Sequence, residues 1–96
     1  MNDREKYVTN MIATWLVSEG EYITIEDRQV RIAEHAAELA KSDDMEALRR
    51  FVEPIIKSGG SWGPMALAGE VRQEMAYNDY NRVDWMEVAN ALRATF

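Results

Sequence analysis

The chain has 96 residues, enough for one domain, with 47% apolar and 29% charged residues and only five glycines and two prolines. That mixture builds a globular domain and excludes collagen-like, low-complexity and disordered chains. Cysteine is absent and histidine occurs once, which excludes disulfide stapling, thiolate metal sites, cysteine nucleophiles and multi-histidine centres.

Residues 3–19 carry Tyr7, Val8, Met11, Ile12, Trp15 and Leu16 at spacings of three and four, the single apolar stripe of a first helix. Asn2 or Asp3 is placed to cap its start and Gly20 to close it in a left-handed turn. Glu21-Tyr22-Ile23 reads as a short connector, extended at most. Thr24 is then an N-cap candidate, with Glu26 and Asp27 in the first turn favouring the helix dipole. A second helix is predicted from Ile25 to Lys41, with Ile25, Ile32, Ala36 and Leu39 on one stripe. Val30, Ala33, Ala37 and Ala40 flank that stripe, and so many alanines suit close approach to a neighbouring helix.

Asp43 with Glu46 matches a capping box opening a third helix. Its stripe is Met45, Leu48, Phe51, Val52, Ile55 and Ile56. The spacing continues across Pro54, which predicts a kinked helix rather than a stop. Ser58 to Gly63 is a loop, with Gly59 as helix end and Pro64 at the first position of a fourth helix over 64–77, built on Met65, Ala68, Val71 and Met75. Tyr77 to Asn81 reads as a turn. Asp84 caps the last helix, Glu87 stands three residues on, and Val83 can staple against Val88. No segment shows persuasive strand alternation. The predicted fold is all-α: one domain over 1–96, a compact bundle or irregular array of about five short helices. Its predicted core is Val8, Met11, Ile12, Trp15, Ile32, Ala36, Leu39, Leu48, Phe51, Val52, Ile55, Val71, Met75, Val88 and Leu92, with the first helix at the centre.

Charge is distributed unevenly. Residues 19–46 hold nine acids (Glu19, Glu21, Glu26, Asp27, Glu34, Glu38, Asp43, Asp44 and Glu46) and three bases, which is the whole net charge of −6. Such a stretch repels phosphate, so neither nucleic acid nor an anionic membrane suits it, whereas a basic protein surface does. No apolar run approaches the roughly 20 residues of a spanning helix, and the polar start is no signal segment; the expected location is cytoplasmic.

Chemistry is sparse. His35 has Glu38 three residues on, but Ile32 stands where a di-iron motif places glutamate, and no HExxH occurs. It reads as a half-exposed histidine beside Glu38 and Arg31. Gly59, Gly60 and Gly63 fit no phosphate-binding pattern. No catalytic residue, metal site or cofactor is indicated. Met11, Met45, Met65 and Met75 fall on apolar stripes and read as core filling, while Met86 falls off its stripe.

The candidate partner-binding residues are therefore Glu19, Glu21, Glu26, Asp27, Asp43, Asp44 and Glu46. Trp62, Tyr77 and Tyr80 join them, each either an aromatic anchor at an interface or a plug for the core. Together they suit a lysine- and arginine-lined groove on a nucleic-acid-handling protein; the plainer reading is a solvated acidic face. Three other classes remain open. A small-ligand binder would use Trp62, Tyr77, Arg72 and Arg82. A helix-turn-helix regulator would read DNA with residues 44–57, where Arg49, Arg50 and Lys57 face Asp44, Glu46 and Glu53. A carboxylate-pair enzyme would need a cleft that 96 helical residues scarcely provide.

In size, acidity, absence of cysteine and helical content the chain resembles small phage-encoded anti-defence proteins of the anti-CRISPR and anti-restriction type. The carboxylates from Glu19 to Glu46 and the closing segment Arg82-Val83-Asp84-Trp85-Met86-Glu87-Val88-Ala89 carry the resemblance. It implies a stoichiometric, non-enzymatic inhibitor that occupies a surface of a host defence protein in the host cytoplasm, and it transfers no functional residue.

Overall fold

Asn2 opens the first helix: its side-chain oxygen accepts the Glu5 amide at 2.8 Å, satisfying one of the donors that a helix start leaves free. Residues 2–58 and 66–96 are described by the computed structural model. In chain order they form α1 (Asp3–Ser18), β1 (Tyr22–Ile25), β2 (Arg28–Arg31), α2 (Ile32–Lys41), α3 (Met45–Ser58), α4 (Ala66–Glu74), a 3-10 turn (Asp79–Asn81) and α5 (Trp85–Thr95). The five predicted helices are present and the protein is mostly helical, with one small two-stranded sheet.

That sheet is the main departure from the sequence reading. Thr24 caps no helix, and the second helix starts at Ile32 rather than Ile25. Tyr22–Ile25 and Arg28–Arg31 pair antiparallel, Ile23 opposite Val30 and Ile25 opposite Arg28. The β-branched residues Ile23, Thr24, Ile25 and Val30 favour this pleated pairing. Ile23 packs against the core beneath, holding the hairpin to the helices.

Two helix ends also differ. Gly20 adopts no left-handed turn; α1 ends because Glu19 turns extended, at φ −74° and ψ 118°. Asp43 starts no helix either. It is the left-handed residue (φ 61°) that terminates α2, its amide reaching the Ala40 carbonyl at 3.2 Å. Asp44 caps α3 instead, accepting the Ala47 amide at 3.0 Å. Helix α3 runs through Pro54, as the unbroken apolar spacing requires. The readings of Gly59, Gly60, Trp62, Gly63, Pro64 and Met65 lie outside the described residues.

Helix α5 packs on α1, α2 and α3, and α1 also meets α2 and α4, so α1 and α5 share the centre assigned to α1 alone. Val8, Ile12, Leu16, Ile32, Leu48, Val52, Val88 and Leu92 are fully buried between them. Every predicted core residue is buried or packed against the core at half burial. Asp84 caps α5 as expected, accepting from Met86 and Glu87 amides. The return arm of the predicted capping box comes from elsewhere: the Asp84 amide donates to the buried Thr9 hydroxyl of α1 at 2.9 Å.

Candidate interaction surface

A two-residue hairpin loop of type I′ requires both central residues to take positive φ, which is why asparagine, aspartate and glycine dominate there. Here Glu26 (φ 50°) and Asp27 (φ 65°) fill those positions. Each holds a left-handed conformation that costs an ordinary side chain roughly 1–2 kcal/mol. Both side chains are exposed, and neither has an ion pair or side-chain hydrogen bond among the described residues. The tip of the hairpin is thus two free carboxylates held in a conformation that the backbone tolerates poorly.

The other predicted acids divide by their partners. Glu19 is 1% exposed. Its carboxylate accepts the Trp15 indole N–H at 2.6 Å and the Glu21 amide at 3.0 Å, so it is an internal strut and is withdrawn from the docking set. The reason is geometric: Trp15 and Glu19 lie one helical turn apart, and a buried indole N–H needs an acceptor. Asp43 is clasped by Arg93 of α5, whose guanidinium also donates to the Ala40 carbonyl at 2.9 and 2.6 Å. Asp44 serves as cap. Glu46 stands 3.8 Å from Arg50, and Glu34 3.8 Å from Arg31. Glu21 sits half-buried at the hairpin base. Of the predicted acidic set, then, the structure leaves Glu26 and Asp27 free at the tip and Glu21 below them, while guanidinium groups, caps and the core engage the others.

The aromatic candidates separate too. Tyr77 is 93% exposed, an open side chain at the turn before α5. Tyr80 is buried, with Lys57 Nζ 4.9 Å from its ring centre, and it is a core plug; burial, and then Glu53, push its phenol up. Trp62 lies outside the described residues.

One buried charge escaped the sequence reading. Asp79 is 1% exposed in its side chain. It receives Arg4 Nε at 3.2 Å, Arg82 Nη1 at 2.9 Å and the Ala76 amide at 2.7 Å, and pairs with Arg4 Nη2. The Arg4 bonds, opposed by burial and aided by Ala76 and Arg82, hold its carboxyl well below the carboxylate range. This knot ties α1 to the 3-10 turn. Its local part, an acid three residues before Arg82, was visible in the sequence, whereas the Arg4 half spans 75 positions. On α3, burial pushes Glu53 up, but its bonds to Arg49 (2.9 Å) and Lys57 (3.1 Å) bring it below the ordinary range.

Between α1 and α4 lies an open groove of about 730 Å³, lined in part by Tyr7, Met11, Trp15 and Val71, with Glu70 and Glu74 at the side. Glu74 accepts the Tyr7 hydroxyl at 3.0 Å, which raises that phenol. His35 is half-buried, its ring edge-on to Phe51 with centres 4.6 Å apart and Nδ1 3.9 Å from Glu38, as the sequence suggested. No cluster of three metal-ligating side chains occurs among the described residues, and no helix among them is long and apolar enough to cross a membrane. Comparisons with family models, with curated proteins and with solved structures return no match.

Proposed function

We propose that this chain is a non-enzymatic interaction protein that docks its acidic hairpin tip on a basic, nucleic-acid-handling surface of a larger protein. The resemblance noted above suggests that the target belongs to a host defence system, with this chain its phage- or mobile-element-encoded inhibitor in the host cytoplasm. One observation carries the reading: Glu26 and Asp27 occupy positive-φ positions that asparagine and glycine would fill at lower cost. Strain of this kind gathers where a side chain has a task outside the fold. Two unpaired carboxylates on a narrow projection suit a groove lined with lysine and arginine, where complementary charge raises the association rate and selects the partner. The plainer alternative is a solvated acidic face; Arg31, Arg50 and Arg93 pair with three of its nine acids, Glu34, Glu46 and Asp43, and leave the two at the tip unpaired.

The test is affinity capture from the natural host with wild type and with Glu26→Lys/Asp27→Lys, at low salt and at about 0.5 M salt, where the Debye length falls to a few ångströms. A partner retained only by wild type at low salt supports the reading; equal retention by the charge-reversed protein refutes it. A second reading, sequestration of a small ligand, rests on the α1–α4 groove and its apolar floor. Arg72 and Arg82, earlier assigned to that ligand, are engaged with the Lys57 carbonyl and with Asp79. A DNA-reading α3 draws no support from its bases, since Arg49 and Lys57 pair with Glu53 and Arg50 with Glu46.

A further inference from the structure

The hairpin has two edges, and they are not equivalent. Antiparallel pairs alternate between those that exchange hydrogen bonds and those whose N–H and C=O groups point away from the partner strand. The Ile32 amide donates to the Glu21 carbonyl at 3.0 Å, which makes Glu21/Ile32 a bonded pair. In the observed register the next bonded pairs are Ile23/Val30 and Ile25/Arg28. Tyr22 and Thr24 therefore turn their backbone N–H and C=O groups outward along β1. Both residues are exposed, Tyr22 by 55%, and nothing else among the described residues bonds to them. Along β2 the corresponding groups belong to Gln29 and Arg31, equally unbonded among the described residues, but that strand carries Arg28 and Arg31, whereas acids flank β1. The open edge that suits a basic strand is that of β1.

We propose that the free edge of β1 receives an extended, basic segment of the partner as a third strand. The inference rests on the docking reading above and specifies its geometry. A two-stranded sheet is marginal by itself and a third strand completes it. The edge also lacks the usual protections against strand addition: no lysine, proline or bulge interrupts Tyr22–Ile25. Its only guards are acids at both ends, Glu21 at the base and Glu26 with Asp27 at the tip. Those acids decide the occupant. In antiparallel pairing of two copies, Glu21 of each would stand near Glu26 of the other, so like charges reject a second copy of this chain. A segment of alternating β-branched residues with lysine or arginine at its ends meets opposite charge at both ends and finds outward donors and acceptors between them.

The probe is a capped synthetic peptide, Lys-Thr-Val-Thr-Val-Lys, titrated into the isotope-labelled full chain beside a control with both lysines replaced by glutamate. Saturable binding of the lysine peptide alone, with slowed hydrogen exchange at the Tyr22 and Thr24 amides, is expected. Thr24→Pro removes one outward N–H while leaving the bonded pairs intact, a substitution that an edge strand tolerates. It should weaken binding at least about tenfold, whereas Thr24→Ala should not. Absence of saturable binding up to millimolar peptide, equal binding of the glutamate control, or binding that leaves the two amides unprotected would each overturn strand addition. If Thr24→Pro fails to fold, the exchange measurement on wild type still decides. A captured partner that depends on Glu26 and Asp27 but leaves those amides unprotected removes only the strand geometry. A partner indifferent to charge reversal removes the docking reading itself.

Discussion

Replacing Asp79 with asparagine keeps its size and removes its charge. The carboxylate takes four donors, two from Arg4, one from Arg82 and one from the Ala76 amide. An asparagine has one acceptor oxygen, so one of the two oxygen positions becomes an N–H facing other N–H groups. Two charge-assisted bonds at about 1.5–3 kcal/mol each set the upper scale. The side chains of Arg4 and Arg82 are 42% and 44% exposed and their guanidiniums recover water when released, so the expected loss for Asp79→Asn is about 2–3 kcal/mol. In a domain of this size that lowers Tm by roughly 10–20 °C. The pH dependence has a definite sign. The folded pKa of Asp79 lies below its ordinary value of 3.8, so its stabilisation is complete above that value and is lost as pH falls through it toward the folded pKa. Urea unfolding of both proteins near pH 7 and near pH 2.5 should therefore show a gap that narrows in acid. Glu53 titrates in the same direction in both proteins and cancels in the difference. Variants within about 0.5 kcal/mol of one another at pH 7, or a gap unchanged in acid, would refute the claim that a buried ion-pair knot joins α1 to the 3-10 turn.

Glu26→Asn/Asp27→Gly supplies the residues that the turn prefers and should raise stability by about 1 kcal/mol, read as a higher urea midpoint, while abolishing capture of a basic partner; lower stability would contradict the turn geometry. Trp15→Phe takes the indole donor from one oxygen of the buried Glu19 carboxylate, leaving the Glu21 amide on the other, and should cost about 2 kcal/mol more than the loss of ring area. Trp85→Phe removes a buried indole N–H that has no partner among the described residues and should cost about 1 kcal/mol or less; paired denaturant titrations that reverse this order would disprove both assignments. Arg93→Ala frees Asp43 and takes two of the donors from the Ala40 carbonyl, leaving the Asp43 amide, with an expected loss of about 1–2 kcal/mol and faster amide exchange at the α2–α3 junction; unchanged exchange there would show that Arg93 does not hold the junction.

The helices were legible because their signals are local. Asn2 and Asp84 cap within three residues, and the stripes of α1 and α3 are buried or packed on the core at the positions that their spacing selects, except for Tyr7, which is exposed. The hairpin was illegible for an equally local reason: Glu26-Asp27 is a poor match to any turn signature, and Ile25, Ile32, Ala36 and Leu39 imitate a helical stripe across it. The acidic stretch was correctly seen as a concentration of charge, yet sequence adjacency does not reveal which carboxylates remain free. Arg93 reaches Asp43 across 50 positions, and Trp15 draws Glu19 inward.

By itself the sequence determined five helices, the caps at Asn2 and Asp84, the core the helices bury and the stretch in which the negative charge gathers, because periodicity and capping act over a few residues. Only the tertiary structure decided which acids are struts and which are free, that β1 and β2 stand where the second helix was expected to begin, and that Asp79 is a buried anchor. Those outcomes depend on arginines, an indole and a cross-strand register that long stretches of chain bring together, and solvent access to a charge is settled by that assembly.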